Sequence, residues 1–390
     1  GRSLLRGALD SDDTRVMIEG LRKLGVPVAV GEAGTVLETT GCDGAFPADS
    51  ADLHIGNSGT TIRFLTAAAT LGHGEVRLDG VPRMRERPIA DLVEALAPLG
   101  ASIDYERQAG FPPVVVRADS LKGGQTHVRG DVSSQFLSGL LMAAPYARQP
   151  VSIHVDGALV STPYIEMTLS VMRAFGAEAT VSDDYRELQI NNVRRYVGRD
   201  YQVEPDASAA SYFFAVAAVT GGRVTVEGLG SDSLQGDVGF VDCLAQMGCK
   251  VEQRSDSIMV HGRPMSGVDV DMNAISDTVQ TLSVVALFAD GPTRIRNVAH
   301  IRHKETDRIA ATACELRKLG AVGEVTGDGL VITPHKLQPA EIDTYDDHRM
   351  AMSFAIAGLR APGIVIQDPG CVGKTYPNFF ADLQRVIGAG

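Results

Sequence analysis

Gly222-Arg223-Val224-Thr225, running on through a polar loop and an amphipathic stretch to Met247-Gly248-Cys249, carries the pattern that decides the fold. Its alternating apolar opening reads as a strand, and the helical periodicity that follows reads as an amphipathic helix. A Gly directly after the last apolar position is the usual signal that a helix ends there. The same grammar recurs along the chain. Further openings are Gly1-Arg2-Ser3-Leu4, Gly74-Glu75-Val76-Arg77, Pro150-Val151-Ser152-Ile153, Gly291-Pro292-Thr293-Arg294 and Gly363-Ile364-Val365-Ile366. Further helix ends are Leu24-Gly25-Val26, Leu99-Gly100-Ala101, Phe175-Gly176-Ala177 and Leu319-Gly320-Ala321. The spacing is roughly 70 residues, longer than solenoid repeats, so each unit is a whole α/β subdomain.

Each unit also holds a second helix, rich in small apolar residues and opened by polar or charged ones. The openings are Gly56-Asn57-Ser58-Gly59-Thr60, Asp131-Val132-Ser133-Ser134-Gln135, Glu204-Pro205-Asp206-Ala207-Ser208, Ile275-Ser276-Asp277-Thr278 and Tyr345-Asp346-Asp347-His348-Arg349. Their bodies are apolar on nearly all sides, which marks buried helices, and no run approaches the ~20 residues of a membrane span. The unit therefore reads as βαβαββ, with one amphipathic outer helix and one buried inner helix. About six such units, three per domain, predict a two-domain, pseudo-symmetric α/β chain divided as 1–200 and 201–390, changing over near Tyr201. The pattern also expects the first unit to be N-terminally incomplete, lacking an upstream strand and inner helix.

Composition narrows the function. In 390 residues the net charge is −12 and hydrophobic residues make up 44%, which supports large cores and argues against nucleic-acid or membrane-surface binding. The five cysteines show no CxxC spacing and are odd in number, which suits a reducing compartment and no structural zinc. A cytoplasmic location is expected, with a plastid left open because the true start is absent.

An acidic chain that gathers cations into a few loops is built to hold small anions there. Arg83, Arg85 and Arg87 share the loop Pro82–Pro88, and Arg302, Lys304 and Arg308 share the equivalent loop of the fifth unit. Lys304 and Arg308 are four apart, which predicts one helical face. Ser161, Thr162 and Tyr164 occupy the matching loop of the third unit. The inner-helix starts add unpaired N–H groups and about half a positive charge each, at Asn57 to Arg63, at Ser133 to Gln135 and at His348 with Arg349. Ordinary capping explains the Ser, Asp and Asn residues singly. Arg63 and Arg349 do not fit it, because a cation near a helix start opposes the dipole unless an anion is present. Gly59 lets the backbone approach a ligand closely. Asp277, Glu305 and Lys374 are the acid/base candidates, since groups in a charged cluster have environment-set pKa values. The glycine-rich Asp368–Thr375 stretch resembles a phosphate loop superficially. It lacks the spacing, and Pro377 breaks the helix, so nucleotide hydrolysis is set aside.

These residues closely resemble one known family. Asn57-Ser58-Gly59-Thr60-Thr61-Ile62-Arg63, Pro82 to Pro88, Val132 to Phe136, Glu204 to Ser208, Lys304 to Arg308, Asp347 to Met352 and Gly373 to Pro377 are similar, in order, to the signature blocks of 5-enolpyruvylshikimate-3-phosphate synthases. The similarity runs from Asp10-Ser11-Asp12-Asp13 to the C-terminus. It implies the enolpyruvyl transferase fold, with the active site in the cleft between two domains, and transfer of the enolpyruvyl group of phosphoenolpyruvate to the 5-hydroxyl of shikimate 3-phosphate. By that resemblance Ser133, Ser134, Gln135, Ser161, Tyr164, Asp277, His300 and Lys304 would hold shikimate 3-phosphate. Asn57, Gly59, Arg87, Gln135, Arg308, Arg349 and Lys374 would hold phosphoenolpyruvate. Asp277 would accept the hydroxyl proton, while Glu305 and Lys374 would manage protons at the enol carbon and leaving phosphate. No metal or organic cofactor is implied, and a monomer is expected.

Three departures bear on activity. An early Lys-Ser-x-x-x-Arg block of the family is absent, so weak or no turnover is expected of the chain as given. His300 stands where the family often has Asn, and Phe64 follows Arg63 where many members have Pro, which leaves glyphosate sensitivity open. A sister transferase acting on UDP-N-acetylglucosamine would need a Cys in the Pro82–Pro88 loop, where there is none. RNA 3′-phosphate cyclases, built of related units, would need a nucleotide-linked His and a basic face. A non-catalytic anion-binding fragment is the remaining alternative.

Overall fold

The computed structural model describes residues 1–388. Contacts divide the chain into two compact units, Gly1–Val203 and Glu204–Gly390, each with its own apolar core.

In the first unit the helices are α1 (Asp12–Lys23), α2 (Gly59–Ala69), α3 (Ala90–Leu96), α4 (Ser134–Ala143) and α5 (Thr162–Ala174). The strands are β1 (Arg2–Arg6), β2 (Val28–Gly31), β3 (Val36–Thr40), β4 (Ser50–His54), β5 (His73–Asp79), β6 (Ser102–Tyr105), β7 (Val114–Asp119), β8 (Gly124–Arg129), β9 (Val151–Asp156), β10 (Ala179–Val181), β11 (Glu187–Ile190) and β12 (Asp200–Gln202). They form three four-stranded sheets, ordered β12-β1-β3-β2, β4-β5-β7-β6 and β10-β11-β9-β8. Each sheet has the same grammar: a parallel pair, then two antiparallel neighbours.

The second unit repeats it in one sheet, beside an antiparallel sheet of Arg223–Glu227, Ser257–His261 and Lys250–Gln253 and two parallel two-stranded pairs. Its helices are α6 (Ala207–Thr220), α7 (Phe240–Met247), α8 (Val279–Val285), α9 (Arg308–Lys318), α10 (His348–Ala357) and α11 (Phe379–Gly388). Strands Asp269–Asp271, Thr293–Arg296, Leu330–Thr333 and Val322–Val325 form one sheet in that order, again with a parallel pair first. The βαβαββ reading therefore holds at the level of connectivity. A parallel pair needs a crossover, and an inner helix supplies it for β4 with β5 (α2), β8 with β9 (α4) and Asp269–Asp271 with Thr293–Arg296 (α8), whereas β1 and β12 pair from opposite ends of the first unit.

The two helix classes separate by burial. In α6 every residue from Ala207 to Val219 except Ala209 is buried, and Tyr212, Phe214 and Ala215 are almost inaccessible. By contrast α1 buries only Gly20 and turns its charged face to solvent. Close approach between inner helices α2 and α4 depends on Gly139, where an added Cβ would sit 3.3 Å from the Arg63 carbonyl oxygen. Each expected helix end is a left-handed glycine, with φ of 87° at Gly25, 97° at Gly100, 95° at Gly176, 119° at Gly248 and 92° at Gly320. No described helix is long and apolar enough to cross a membrane.

Candidate active site

The expected residues fall into two clusters, one in each unit. In the second unit the centre is Asp277. It does not open α8 directly but sits in a short 3-10 turn, Asn273–Thr278, just ahead of it. Its carboxylate accepts from Arg308 Nη1 at 3.0 Å, from Arg349 Nη2 at 2.8 Å and from Lys304 Nζ. Burial alone would push the Asp277 carboxyl up, but Arg349, Lys304 and Arg308 outweigh it and hold the group well below the usual carboxylate range.

Arg308 is the hub. Its side chain is 1% exposed, and it donates to Asp277, to Glu305 Oε2 at 2.8 Å and to Asp347 Oδ2 at 2.8 Å. A cation so buried persists because three carboxylates surround it and raise its pKa against the desolvation that lowers it. Lys374, in the 3-10 turn Pro369–Lys374, places Nζ 3.5 Å from Glu305 Oε1. The proposed acid/base pair is thus in contact. Lys304 and Arg308 do not share a helical face as their spacing suggests, because Lys304 ends a 3-10 turn at Ala299–His303 and α9 begins at Arg308. They meet through Asp277 instead. Burial and then Lys304 push His300 down to about 4, so its imidazole is neutral at ordinary pH.

Arg349 resolves the puzzle of a cation at a helix start. It is the second residue of α10, and its guanidinium is neutralised by Asp277 and also reaches the Tyr212 hydroxyl at 3.3 Å. Asp347, which looks from sequence like an ordinary cap, accepts the Arg349 N–H at 2.9 Å and ties down Arg308 with the same carboxylate. That double duty was not visible in the sequence, although the residue lies within a quoted block. His348 beside it is 2% exposed, and burial followed by Arg349 holds its imidazole neutral. Asp237, missed altogether, accepts from the Ser208 hydroxyl, and burial followed by the Asp277 charge pushes it up to about 6.

The first unit holds the other cluster. Ser58 caps α2, and Arg87 is buried with Nη1 2.9 Å from the Asn57 carbonyl oxygen and 3.3 Å from Asn57 Oδ1. Gly59 is required by this packing, since a Cβ there would lie 2.4 Å from Arg87 Nη2. The Arg87 side chain makes a close approach to the Gly59 backbone. Arg63 donates to Gln135 Oε1 at 2.5 Å and lies over the Phe136 ring at 5.1 Å, while Gln135 Nε2 donates to Thr60 at 3.0 Å. Hence α2 and α4 are joined by side chains at their N-terminal ends. Ser133 caps α4, accepting from the Gln135 N–H at 3.3 Å, and Ser134 is the buried first residue of that helix. Ser161 adopts a left-handed backbone with φ 54° ahead of α5, and Tyr164 lies in that helix's first turn.

Not every cation joins. Arg85 is held by Asp79 at 2.8 and 2.9 Å, and Arg83 by Glu86 at 2.8 Å. Arg302 pairs with Asp307 at 3.1 Å. Of each Arg-rich loop, then, only part faces the cluster, and the rest braces the loop.

A buried constellation of this kind, cations at helix starts balanced by internal carboxylates, is equipped to receive polyanions and to move protons beside them. The model of the family described as EPSP synthase (3-phosphoshikimate 1-carboxyvinyltransferase) matches residues 1–383. The chain belongs to the EPSP synthase family. The 3-phosphoshikimate 1-carboxyvinyltransferase of Trichormus variabilis is 48% identical over 389 residues, covering 100% of this chain and 91% of the relative. That of a Shewanella species is 50% identical over 389 residues, with 99% and 91% covered. An EPSP synthase structure from Acinetobacter baumannii aligns with a TM-score of 0.81 at 27% identity, covering 99% of this chain and 90% of that one. The two-domain enolpyruvyl transferase fold implied by the resemblance is the fold of this family, and it agrees with the two-domain α/β reading of the repeats.

Proposed function

We propose that the chain transfers the enolpyruvyl group from phosphoenolpyruvate to the 5-hydroxyl of shikimate 3-phosphate and releases phosphate, a step in aromatic amino acid biosynthesis. The observation that carries the reading is the Asp277 cluster: three cations converge on one carboxylate, with a Lys–Glu pair beside it. Lys304 and His300, with Ser133, Ser134, Gln135, Ser161 and Tyr164, hold shikimate 3-phosphate. Arg308, Arg349 and Lys374, with Asn57, Gly59, Arg87 and Gln135, hold phosphoenolpyruvate.

The electrostatics suggest an order of events. In the resting chain Asp277 is a poor base, because its cations stabilise the ionised form. Anionic substrates that take over Arg349, Lys304 and Arg308 weaken that hold and return basicity to Asp277, which then accepts the 5-hydroxyl proton. Lys374 and Glu305 deliver a proton to the enol methylene, making it a methyl, and the hydroxyl adds to the resulting cationic carbon; the same pair then takes a methyl proton back as the C–O bond to phosphate breaks, which restores the C=C bond. Each positioned acid or base contributes roughly 10²–10⁴-fold. The cationic groups stabilise charge on the departing phosphate. No cofactor enters the scheme. We further propose a cytoplasmic monomer whose ligands are these two small molecules, with no role for nucleic acid or membrane.

The test is phosphate release from phosphoenolpyruvate, measured with and without shikimate 3-phosphate and paired with calorimetry for both ligands. Weak release that depends on shikimate 3-phosphate is expected, whereas binding of both ligands without release would support the non-catalytic anion-binding reading. Release without it, or failure of both ligands to bind, refutes the reading.

A further inference from the structure

Away from the charged clusters, the sheet β10-β11-β9-β8 gathers four side chains on one exposed face. His127 and His154 are direct partners on the parallel strands β8 and β9, so they project to the same side, and their rings lie 5.1 Å apart. Asp156 follows His154 by two residues and shares its face. Glu187 on β11 is the antiparallel partner of His154. The Asp156 carboxylate lies 3.5 Å from His154 Nε2 and 3.6 Å from His127 Nδ1, and the donor atoms of the three residues all lie within 4.8 Å of one another. Ligands bonded tetrahedrally to zinc at about 2.0–2.1 Å stand about 3.4 Å apart, so these separations need little adjustment.

Glu187 supplies the second observation. Its Oε1 lies 2.5 Å from His154 Nδ1, an arrangement that orients the ring with Nδ1 donating to Glu187 and Nε2 facing Asp156, the nitrogen a metal would take. Carboxylate–histidine–metal relays orient ligating imidazoles in this way. Arg129, the register partner of Asp156, donates to Asp131 at 2.9 and 3.1 Å.

We infer that His127, His154 and Asp156 form a surface site for a divalent transition cation of the zinc class, with Glu187 orienting His154. Three protein ligands leave a position for water. Because β8 is an edge strand bonded only to β9, the metal clips that edge to the sheet. The strand leads within a few residues to Ser133 and Ser134, so the clip steadies the approach to α4. The role is structural and is separate from the transferase chemistry.

Chelator-stripped chain titrated calorimetrically with Zn²⁺ tests this, beside the His127→Gln/His154→Gln double variant and Glu187→Gln. One zinc per chain is expected, lost in the double variant and weakened about 10–100-fold in Glu187→Gln. Zinc should also raise the melting temperature of the parent but not of the double variant. Melts in chelator should coincide, which shows that the exposed substitutions leave the fold intact. Cobalt(II) bound to the parent should lack thiolate charge-transfer bands, which separates this site from Cys42 and Cys314. Zinc bound equally by parent and double variant, or a thiolate-type cobalt spectrum, overturns the proposal.

Discussion

Asp277→Asn keeps the shape of the side chain and removes the charge on which Lys304, Arg308 and Arg349 converge. Removing one partner of a buried ion pair costs about 3–5 kcal/mol, because the remaining charge stays desolvated. Two facts place this case at the lower end, near 3 kcal/mol. The Asp277 side chain is 16% exposed, and Arg308 retains Glu305 and Asp347. For a domain the size of Glu204–Gly390, each kcal/mol moves the melting temperature by about 2–4 °C, so a fall of about 6–12 °C is expected. Scanning calorimetry in phosphate-free buffer reads it directly. The vacated pocket carries excess positive charge, so added inorganic phosphate should restore more melting temperature in the variant than in the parent. Turnover should fall by about 10²–10⁴-fold while substrate affinity changes less. The acid limb carries the same signature. A carboxyl depressed in the folded state contributes stability above its unfolded pKa of about 3.9, lost as pH falls toward the folded value. The variant's disadvantage should therefore shrink below about pH 4. A melting point within about 1 °C of the parent, with no differential response to phosphate, would refute the reasoning.

Other perturbations probe single features. Arg349→Ala should weaken phosphoenolpyruvate far more than shikimate 3-phosphate, by about 2–5 kcal/mol if the pair is desolvated; equal losses in calorimetry would contradict the assignment. Gly59→Ala should raise the KM for phosphoenolpyruvate with little change in melting temperature, because the clash falls on the tip of Arg87 rather than on backbone. A large loss of stability with unchanged KM would show that Arg87 cannot yield. Asp237→Asn should stabilise the protein at neutral pH and be nearly neutral near pH 4. The native carboxyl holds its proton up to about 6, so its ionisation removes stability as pH rises from about 4 to 6. Melting curves at the two pH values check the sign.

The repeat was legible because it is local. Left-handed glycines at Gly25, Gly100, Gly176, Gly248 and Gly320 and alternating strand openings need only a few neighbouring residues to be read. The buried helices were legible from their lack of a polar face. Partnership between distant residues was not. Asp347 reads as a cap, and only folding brings it to Arg308, 39 residues away. Lys304 and Arg308 met as expected but by another route, since a 3-10 turn interrupts the helix on which the spacing argument relied. Arg83 and Arg85 have the sequence context of Arg87, and what separates them is Asp79 and Glu86, which hold them at the edge of the loop. His127 and His154 carry no motif, because strand pairing rather than spacing makes them neighbours.

Because Arg349 already has Asp277 as a resident counter-ion, an arriving anion swaps places with a carboxylate rather than entering an empty seat. Its affinity is then the difference between two salt links. Chloride and other weakly charged solutes gain nearly nothing from such an exchange, whereas a phosphate dianion, with more charge and more acceptor oxygens, does. On the proposed function, a buried aspartate thereby filters ionic traffic, keeping the three cations it pairs from being taken by the salts of their surroundings.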